Sequence, residues 1–322
     1  MKKHAFLLIA LLNSLLVFGN ESISVGILNG PSCIPTGYMM ENVSNVDGAK
    51  LSFEKFADPK ALLPKLLKKE VDIGFLPVNV AAKVFNTSNG AIKIAAITGN
   101  GNIALVTKDP SIEDLEDLEN KKVTVAGQGA TPDYLFRYLL TENGVEIRKD
   151  GDDYGVELDF SIPTPQIAPS LLSNKITYAV VPEPFITVMQ IKDKDIRVPI
   201  DFQEEYKEAT GGVDDYPLTV MVVTKDFAEN NADLLEEFLE EYEKSFKWTI
   251  KNPSKAGELS EKHNLGFQKP IATKAIPKSN YCFIEADEGQ DAIEGLLDLF
   301  LNFAPEAIGG KLPTDDFYFV GD

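Results

Sequence analysis

The chain has 322 residues, a formal net charge of −19 and 44% hydrophobic residues. A surface this acidic repels nucleic-acid phosphates and anionic lipid, so we expect neither as a partner. The length suits two lobes of roughly 150 residues each, and the hydrophobic content is enough to fill two cores.

Residues 1–20 have the three-part pattern of a secretory signal. Lys2 and Lys3 precede an apolar run over residues 5–18, and Val17 and Gly19 stand before a cleavage point at Asn20. The run is shorter than the ~20 apolar residues of a membrane-spanning helix, and no cysteine follows it to carry a lipid anchor. The alternative is a buried N-terminal helix. We predict export of a protein not inserted in the membrane, to the periplasm or the exterior of the cell envelope.

Hydrophobic periodicity predicts strands that alternate with helices along the rest of the chain. This order favours α/β lobes with mainly parallel sheets. The predicted elements are strand 23–28, helix 59–69, strands 71–76, 93–98, 103–107 and 122–126, a helix from residue 131 to Gly144, strand 157–162, a helix near 166–173, strands 176–181 and 218–224, and helices 234–250 and 292–303.

The helix after the 127–130 loop has a recognisable start. Thr131 is a good N-cap, Pro132 suits the first helical position, and Asp133 complements the helix dipole. Gly144 is suited to end the same helix.

One helix–strand unit occurs twice. Residues 62–81 and 167–186 align without gaps, so that Pro64 meets Pro169 and Pro77 meets Pro182. Each unit combines a helix, a short turn, a buried strand and a proline at the strand end. The alternative is that any two helix–strand pairs look alike. We interpret the repeat as two lobes of one topology.

Two such lobes would face each other across a cleft. In open α/β sheets, ligands bind beyond the carboxyl ends of the strands, so binding would bridge the lobes and close a hinge. Strands 103–107 and 218–224 are the predicted hinge strands. We predict lobe 1 from residues 21–108 plus 217–322, and lobe 2 from residues 109–216.

Metal and redox chemistry find little support in the composition. Cys33 and Cys282 are the only two cysteines; an exported chain could pair them, or both could be separate buried residues. Outside the signal the single histidine is His263, in a segment typical of a helix end. We expect no metal and no cofactor.

Three loop motifs resemble those of a known family. Residues 71–75 (VDIGF), 127–132 (GQGATP) and 181–185 (VPEPF) follow one another in the order found in the nitrate/sulfonate/taurine class of ABC-importer substrate-binding proteins, which includes binders of thiamine pyrimidine precursors. The resemblance covers essentially the whole mature chain. It implies the bilobal periplasmic-binding-protein fold of type II, with two crossover strands, and delivery of a small solute to a membrane permease.

The candidate ligand-binding residues lie in the loops that would line the cleft. They carry hydroxyls, amides and one carboxylate, but neither Lys nor Arg, and two of the loops lead into helices whose N–H groups could hold an anion. For each polar residue the alternative is ordinary turn chemistry, and for Glu183 the alternative is a cap on its own helix. The candidates are Ser32, Pro35, Thr36, Asn79, Thr98, Gly99, Asn100, Gln128, Gly129, Ala130, Thr131, Glu183 and Tyr216.

The charges in these loops favour a neutral or weakly cationic ligand over an anion. Glu183, Asp214 and Asp215 would oppose an anion, and Tyr38, Tyr134 or Tyr216 could stack on a heteroaromatic ring such as a pyrimidine. Sulfonate or nitrate is the second choice.

The function expected from these features is solute capture by a monomer that partners an ABC transporter permease. The alternatives are a ligand-sensing protein for a membrane receptor and an enzyme on the same fold. An enzyme is disfavoured because the sequence has none of the common nucleophile-elbow, metalloprotease or phosphate-loop motifs.

Overall fold

A computed structural model describes residues 22–28, 30–149, 152–213 and 215–321. The predicted signal, residues 1–20, lies outside the described residues, as does Asp214. Within the described part of the chain, no helix combines the length and apolar character needed to cross a membrane.

The described residues form twelve strands. In chain order they are β1 (Ser22–Leu28), β2 (Asn45–Val46), β3 (Ala49–Phe56), β4 (Ile73–Pro77), β5 (Ile92–Asn100), β6 (Ile103–Thr107), β7 (Lys122–Val125), β8 (Glu157–Asp159), β9 (Tyr178–Pro182), β10 (Arg197–Asp201), β11 (Pro217–Thr224) and β12 (Tyr281–Glu285).

Twelve α-helices connect these strands within the same residues, together with short 3-10 turns such as Pro31–Thr36. They are α1 (Gly37–Asn42), α2 (Pro59–Leu67), α3 (Val78–Thr87), α4 (Thr131–Glu142), α5 (Thr164–Leu172), α6 (Phe185–Lys192), α7 (Phe202–Ala209), α8 (Lys225–Asn230), α9 (Ala232–Lys251), α10 (Pro253–Lys262), α11 (Lys269–Ala275) and α12 (Gln290–Phe303).

The strands form two sheets that share a five-strand arrangement, and the first sheet has one more strand at each edge. The first is β12-β5-β11-β4-β1-β3-β2 and the second is β10-β6-β9-β7-β8. In each sheet a parallel triplet, β3-β1-β4 or β8-β7-β9, is followed by two strands paired antiparallel. The bilobal α/β fold predicted from the sequence is confirmed. The sheets are mixed rather than mainly parallel, because the chain reverses direction at the strands that cross between them.

The internal repeat predicted from the sequence coincides with the observed elements. Helix α2 and strand β4 in the first lobe occupy the positions that α5 and β9 occupy in the second, in the same gap-free alignment. Even the turn between helix and strand matches, because Lys69 and the aligned Asn174 both have left-handed backbones, with φ of 57° and 56°. The two lobes therefore share a topology down to a single turn residue.

The chain passes between the sheets at two short segments. Strand β5 lies in the first sheet and β6 in the second, so the first crossing is at Gly101–Asn102. The second crossing lies between β10 and β11. The predicted boundary placed strand 103–107 in lobe 1, but this strand pairs with β9 and β10 of the second sheet. A buried apolar strand pairs in either sheet, so its composition alone did not identify the lobe.

The buried apolar residues form several cores, one of which spans both lobes. One large core runs from the first lobe into the second and joins α2, α3 and α12 to α4 and α7. Separate cores fill the opposite faces, one behind the first sheet with α9 and one behind the second sheet with α5 and α6. This core also includes Ile103 and Tyr216 beside the crossing segments, so it packs residues of both lobes together.

The cysteines are both free. Cys33 is buried, and its Sγ donates to the carbonyl oxygens of Gly30 and Leu265 at 2.9 and 3.2 Å. Cys282 is half-buried in β12, with its Sγ 3.8 Å from the carbonyl oxygen of Ile97. Each thiol therefore has its own neighbours in the core, which corresponds to the second of the two alternatives drawn from the sequence.

Candidate functional site between the lobes

The candidate site lies where the carboxyl ends of parallel strands from both sheets meet. Strands β1 and β4 end in the first lobe at the 30–36 turn and at the start of α3. Strands β7 and β9 end in the second lobe at the 127–130 loop and at Glu183. Ligands bind at such strand ends in open α/β sheets. The predicted residues divide between two regions of this boundary, and Tyr216 lies apart from both.

The turn after β1 is largely satisfied by its own contacts. Thr36 is buried, and its hydroxyl donates to the carbonyl oxygen of Cys33 at 2.6 Å. The carbonyl oxygen of Pro35 accepts from the Ser245 hydroxyl of α9 at 2.5 Å. Ser32 is half-buried and has no hydrogen-bond partner among the described residues. Of these three candidates, Ser32 is the one whose polar side chain remains open to a ligand.

Glu183 is the buried carboxylate of the site. It is 4% exposed, and its Oε2 and Oε1 accept from the N–H and the hydroxyl of Thr187, both at 3.1 Å. It thus caps its own helix, as one alternative from the sequence held. Burial raises the pKa of Glu183, against the opposing effects of the Thr187 hydrogen bonds and of the Lys278 charge. Each carboxylate oxygen has a second lone pair that a ligand donor could reach.

Tyr281 is a site residue that the sequence analysis missed. It is half-buried in β12 and pairs with Gly99 across the sheet. Burial raises the pKa of its phenol, and Cys33 and Glu183 lie close enough to raise it further, while a hydrogen bond with Ser279 lowers it. Tyr281 therefore lies in the edge strand β12 beside β5, where the Cys33 thiol and the Glu183 carboxyl of the second lobe both raise the pKa of its phenol.

The end of β5 brings three predicted residues beside Tyr281. Thr98 is buried, and its hydroxyl donates to the carbonyl oxygen of Thr219 on β11 at 3.4 Å. Gly99 lies between Tyr281 and Thr219 in the pairing of the sheet. The backbone N–H of Asn100 donates to the carbonyl oxygen of Asn280 at 3.0 Å, whereas its side chain has no partner within the described residues.

A second group of predicted residues binds one another across the lobes. The Asn79 amide donates to the carbonyl oxygen of Gly129 at 3.1 Å, and its oxygen accepts from the Thr131 hydroxyl at 3.2 Å. Ala130 takes the N-cap position of α4, so the predicted N-cap, Thr131, is wrong by one residue. The reason is that the Thr131 hydroxyl is engaged by Asn79, while the Asp133 carboxylate accepts from the Gly129 N–H at 2.9 Å. Gln128 is exposed at the tip of this loop.

Tyr216 is a predicted residue that the structure buries beside the hinge. It is 0% exposed, and its ring packs against Tyr206 with 5.1 Å between centroids. The neighbouring Asp215 accepts from the N–H groups of Gly101 and Tyr216 and from the Asn280 amide. In this conformation the Tyr216 ring has no face for stacking, and the Asp215 charge is directed at backbone donors of the hinge.

The open polar groups around Tyr281 determine what the site can bind. The Asn102 Oδ1 atom is buried without a partner in the described structure, while its Nδ2 donates to the Ser279 carbonyl oxygen at 2.8 Å. The Glu183 N–H donates to the carbonyl oxygen of Asn102 at 3.0 Å. The unpartnered Asn102 amide oxygen and the buried Glu183 carboxylate therefore belong to neighbouring residues, and both groups accept hydrogen bonds. Lys278, whose charge lowers the pKa of Glu183, is exposed and donates to the Gln190 side-chain oxygen at 3.1 Å.

Nucleophilic or metal-assisted chemistry in the described part of the chain would need the two thiols, His263 or a cluster of acidic side chains. Burial raises the pKa of the Cys33 and Cys282 thiols to about 12, so both remain protonated and unreactive at neutral pH. His263 lies at the surface just beyond α10, with its Nε2 2.9 Å from Glu41. No group of three His, Cys, Asp or Glu side chains among the described residues is arranged to hold a metal ion.

Sequence comparison identifies one matching family. The profile of the NMT1-like family matches residues 31–261, which span both lobes and the whole of the site except Tyr281 and its neighbours. A comparison with curated proteins found no match.

Solved structures similar to this chain include an ABC transporter protein and periplasmic binding proteins. An ABC transporter protein from Parabacteroides distasonis has a TM-score of 0.78 and 26% identity, covering 92% of this chain and 98% of its own. The periplasmic aliphatic sulphonate binding protein SsuA from Escherichia coli has a TM-score of 0.69 and 14% identity, covering 94% of each chain. The periplasmic nitrate-binding protein NrtA from Synechocystis has a TM-score of 0.66 and 14% identity, covering 92% of this chain and 86% of its own. These likenesses confirm the fold and the class of protein that the loop motifs resemble.

Proposed function

The chain belongs to the NMT1-like family, and from this premise we propose that it is an exported solute-binding protein of an ABC importer. It captures a small polar ligand between its lobes and delivers it to a permease. The similarity to an ABC transporter protein over 92% of the chain supports the class. The predicted signal supports export to the periplasm or to the exterior of the envelope, where the protein acts as a monomer without cofactor or metal.

The observation that carries the ligand proposal is the pairing of a buried acceptor with an aromatic ring. Hydrogen bonds connect Glu183 of the second lobe to the segment before Tyr281 in the first, because the Glu183 N–H donates to the Asn102 carbonyl oxygen at 3.0 Å and the Asn102 amide donates to the Ser279 carbonyl oxygen at 2.8 Å. The Glu183 charge also raises the pKa of Tyr281. A planar ligand with N–H donors satisfies both, because its donors meet the carboxylate while its ring packs against the phenol. The ligand class that fits is a neutral or weakly cationic heteroaromatic amine, such as an aminopyrimidine.

The same geometry supports the proposal of binding rather than catalysis. Glu183 has Thr187 as its hydrogen-bond partner, and the two thiols of the described chain are protonated at neutral pH. Hydrogen-bond acceptors, amide groups and one aromatic ring can orient a ligand and exclude water. Release of the ligand then requires the lobes to separate.

Calorimetry with three probes tests the ligand class. We expect 4-aminopyrimidine to bind the purified full-length mature protein, and ethanesulfonate and nitrate to bind at least tenfold more weakly. Glu183→Gln should weaken 4-aminopyrimidine binding by at least about tenfold, because a charge-assisted hydrogen bond contributes about 1.5–3 kcal/mol. The matched control is Glu285→Gln, an exposed glutamate at the end of β12. If ethanesulfonate binds tightly and Glu183→Gln leaves its affinity unchanged, the site binds anions and the heteroaromatic proposal is wrong.

Transport is tested separately from binding. Membrane vesicles from the source cell should hydrolyse ATP faster when the ligand-loaded protein is added than when the ligand or the protein is added alone. If the loaded protein leaves ATP hydrolysis unchanged but is retained by a membrane receptor, the sensing role replaces import.

A further inference from the structure

Asn79 connects the two lobes through a fully buried carboxamide. It is 0% exposed and stands at the second position of α3 in the first lobe. Its Nδ2 donates to the Gly129 carbonyl oxygen at 3.1 Å, and its Oδ1 accepts from the Thr131 hydroxyl at 3.2 Å. A further contact of 3.4 Å joins Nδ2 to the Ala307 carbonyl oxygen of the first lobe. One side chain thus links the lobes with its donor and its acceptor at once.

The partner loop in the second lobe is shaped to meet Asn79. Gly129 has a φ of +76°, which glycine adopts readily and other residues do not. Its N–H donates to the Asp133 carboxylate at 2.9 Å, and that carboxylate pairs with Arg137 at 2.6 Å. The Gly129 N–H is thus held within the second lobe, while its carbonyl oxygen accepts from Asn79 of the first lobe. Contacts inside the second lobe therefore support the loop that presents this acceptor.

Aromatic contacts continue the same junction along α4 and α12. Tyr134 packs on Phe300 with 5.9 Å between ring centroids, and Tyr138 on Phe303 with 6.2 Å. These contacts are apolar and tolerate sliding, whereas the Asn79 hydrogen bonds have a direction and a length. Asn79 therefore defines the register in which the two lobes close.

We propose that Asn79 is an interlobe latch that sets the population of the closed conformation and the rate of ligand release, rather than a residue that contacts the ligand. Its donor and acceptor are both consumed by the junction, and its side chain is enclosed. The latch affects affinity through the fraction of closed protein, so it changes the affinity for every ligand by the same factor. Its effect on affinity rests on the proposed function, whereas its effect on lobe closure does not.

Small-angle X-ray scattering of the ligand-stripped protein tests closure directly. We expect Asn79→Ala to raise the radius of gyration above that of the unaltered protein. Thr131→Val, which removes the hydroxyl donor to Asn79, should act in the same direction, and the double variant should add little to either single variant. The matched control is Asn86→Ala on the same helix, because the Asn86 amide donates to the Ile308 and Lys311 carbonyl oxygens at 2.7 Å within the first lobe.

Ligand dissociation measured by stopped flow provides the second readout, with 4-aminopyrimidine and ethanesulfonate as the probes. Asn79→Ala should speed the release of whichever probe binds by about tenfold, the effect of one or two net hydrogen bonds. The preference between the probes should be unchanged.

The possible results separate the two proposals. An unchanged radius of gyration in Asn79→Ala, or an equal increase in Asn86→Ala, overturns the latch. A change in the preference between probes also overturns it, because that result makes Asn79 a ligand contact. If neither probe binds the unaltered protein, the proposed ligand classes fail while the scattering result still decides the latch.

Discussion

The Asp215 carboxylate accepts a hydrogen bond from the Gly101 backbone N–H at 3.1 Å, which ties together the two segments that cross between the lobes. The same carboxylate accepts from the Tyr216 N–H at 2.9 Å and from the Asn280 amide at 2.9 Å. Asn280 in turn donates to the Gly101 carbonyl oxygen at 3.0 Å. Three segments that are far apart in sequence therefore meet at one carboxylate, on the hinge side of the candidate site.

Removing this carboxylate should loosen the hinge. We expect Asp215→Ala to lower the free energy of unfolding by about 2–3 kcal/mol, because hydrogen bonds to a charged group are stronger than neutral ones and the backbone donors lose their partner. Amide hydrogen exchange at Gly101 and Tyr216 should accelerate. The control is Asp201→Ala, whose carboxylate caps α7 within one lobe and should lower the stability by about 1 kcal/mol without changing exchange at the hinge. Equal exchange in both variants would contradict the role given to Asp215.

Gly101 also has a packing requirement. A Cβ at this position would lie 2.5 Å from Cζ and 2.6 Å from Cε1 of Tyr216, whose ring is fully buried. Gly101→Ala should therefore destabilise the protein by about 1–3 kcal/mol in urea unfolding, through overpacking. Gly295→Ala is the control, because nothing lies within 4 Å of its Cβ and α12 should gain helix propensity. A Gly101→Ala variant as stable as Gly295→Ala would show that the hinge packing adapts.

The internal repeat can be tested by exchanging the residues at its two equivalent turn positions. Lys69 and Asn174 occupy the same left-handed turn position, which asparagine tolerates better than lysine. Lys69→Asn should raise the free energy of unfolding by up to about 1 kcal/mol, and Asn174→Lys should lower it by a similar amount. The exposed Lys69–Asp226 ion pair is lost in the first variant but contributes little, because exposed ion pairs are weak. Asp226→Asn measures that ion-pair contribution alone. Opposite signs for the two exchanges confirm the turn equivalence, and equal signs contradict it.

Local patterns in the sequence predicted the repeat but not the junctions between distant segments. In residues 62–81 and 167–186, the same helix–strand pattern ends in a proline at the strand end. The shared topology of the lobes could be predicted from this local pattern. Tyr281 reaches the site because β12 adds to the edge of the first sheet beside Gly99, a long-range pairing that no local pattern encodes. The hydrogen bond from the Thr131 hydroxyl to Asn79 was equally hidden, since both residues suit loop and helix starts on their own. Residue type identified polar positions at the strand ends, and tertiary packing decided which of them remained open.

Glu183 should make the stability depend on pH in a direction that the structure fixes. Burial raises its pKa above the ordinary value of 4.5, so the folded chain takes up this proton at a higher pH than the unfolded chain does. The ionised side chain therefore destabilises the fold at neutral pH, and this contribution disappears as the pH falls through the folded pKa toward 4.5. Glu183→Gln removes the charge and keeps an oxygen that accepts from Thr187. Its stability relative to the unaltered protein should be greatest near pH 7 and should decrease toward pH 4.5, as measured by urea unfolding across that range.

Glu285→Gln provides the comparison for a carboxylate outside the site. Glu285 is largely exposed, and its pKa is also raised, by partial burial and by neighbouring acids. A stability difference for Glu183→Gln that does not change over this range would mean that Glu183 ionises as an ordinary glutamate, and the buried acceptor proposed for the ligand would lose its basis.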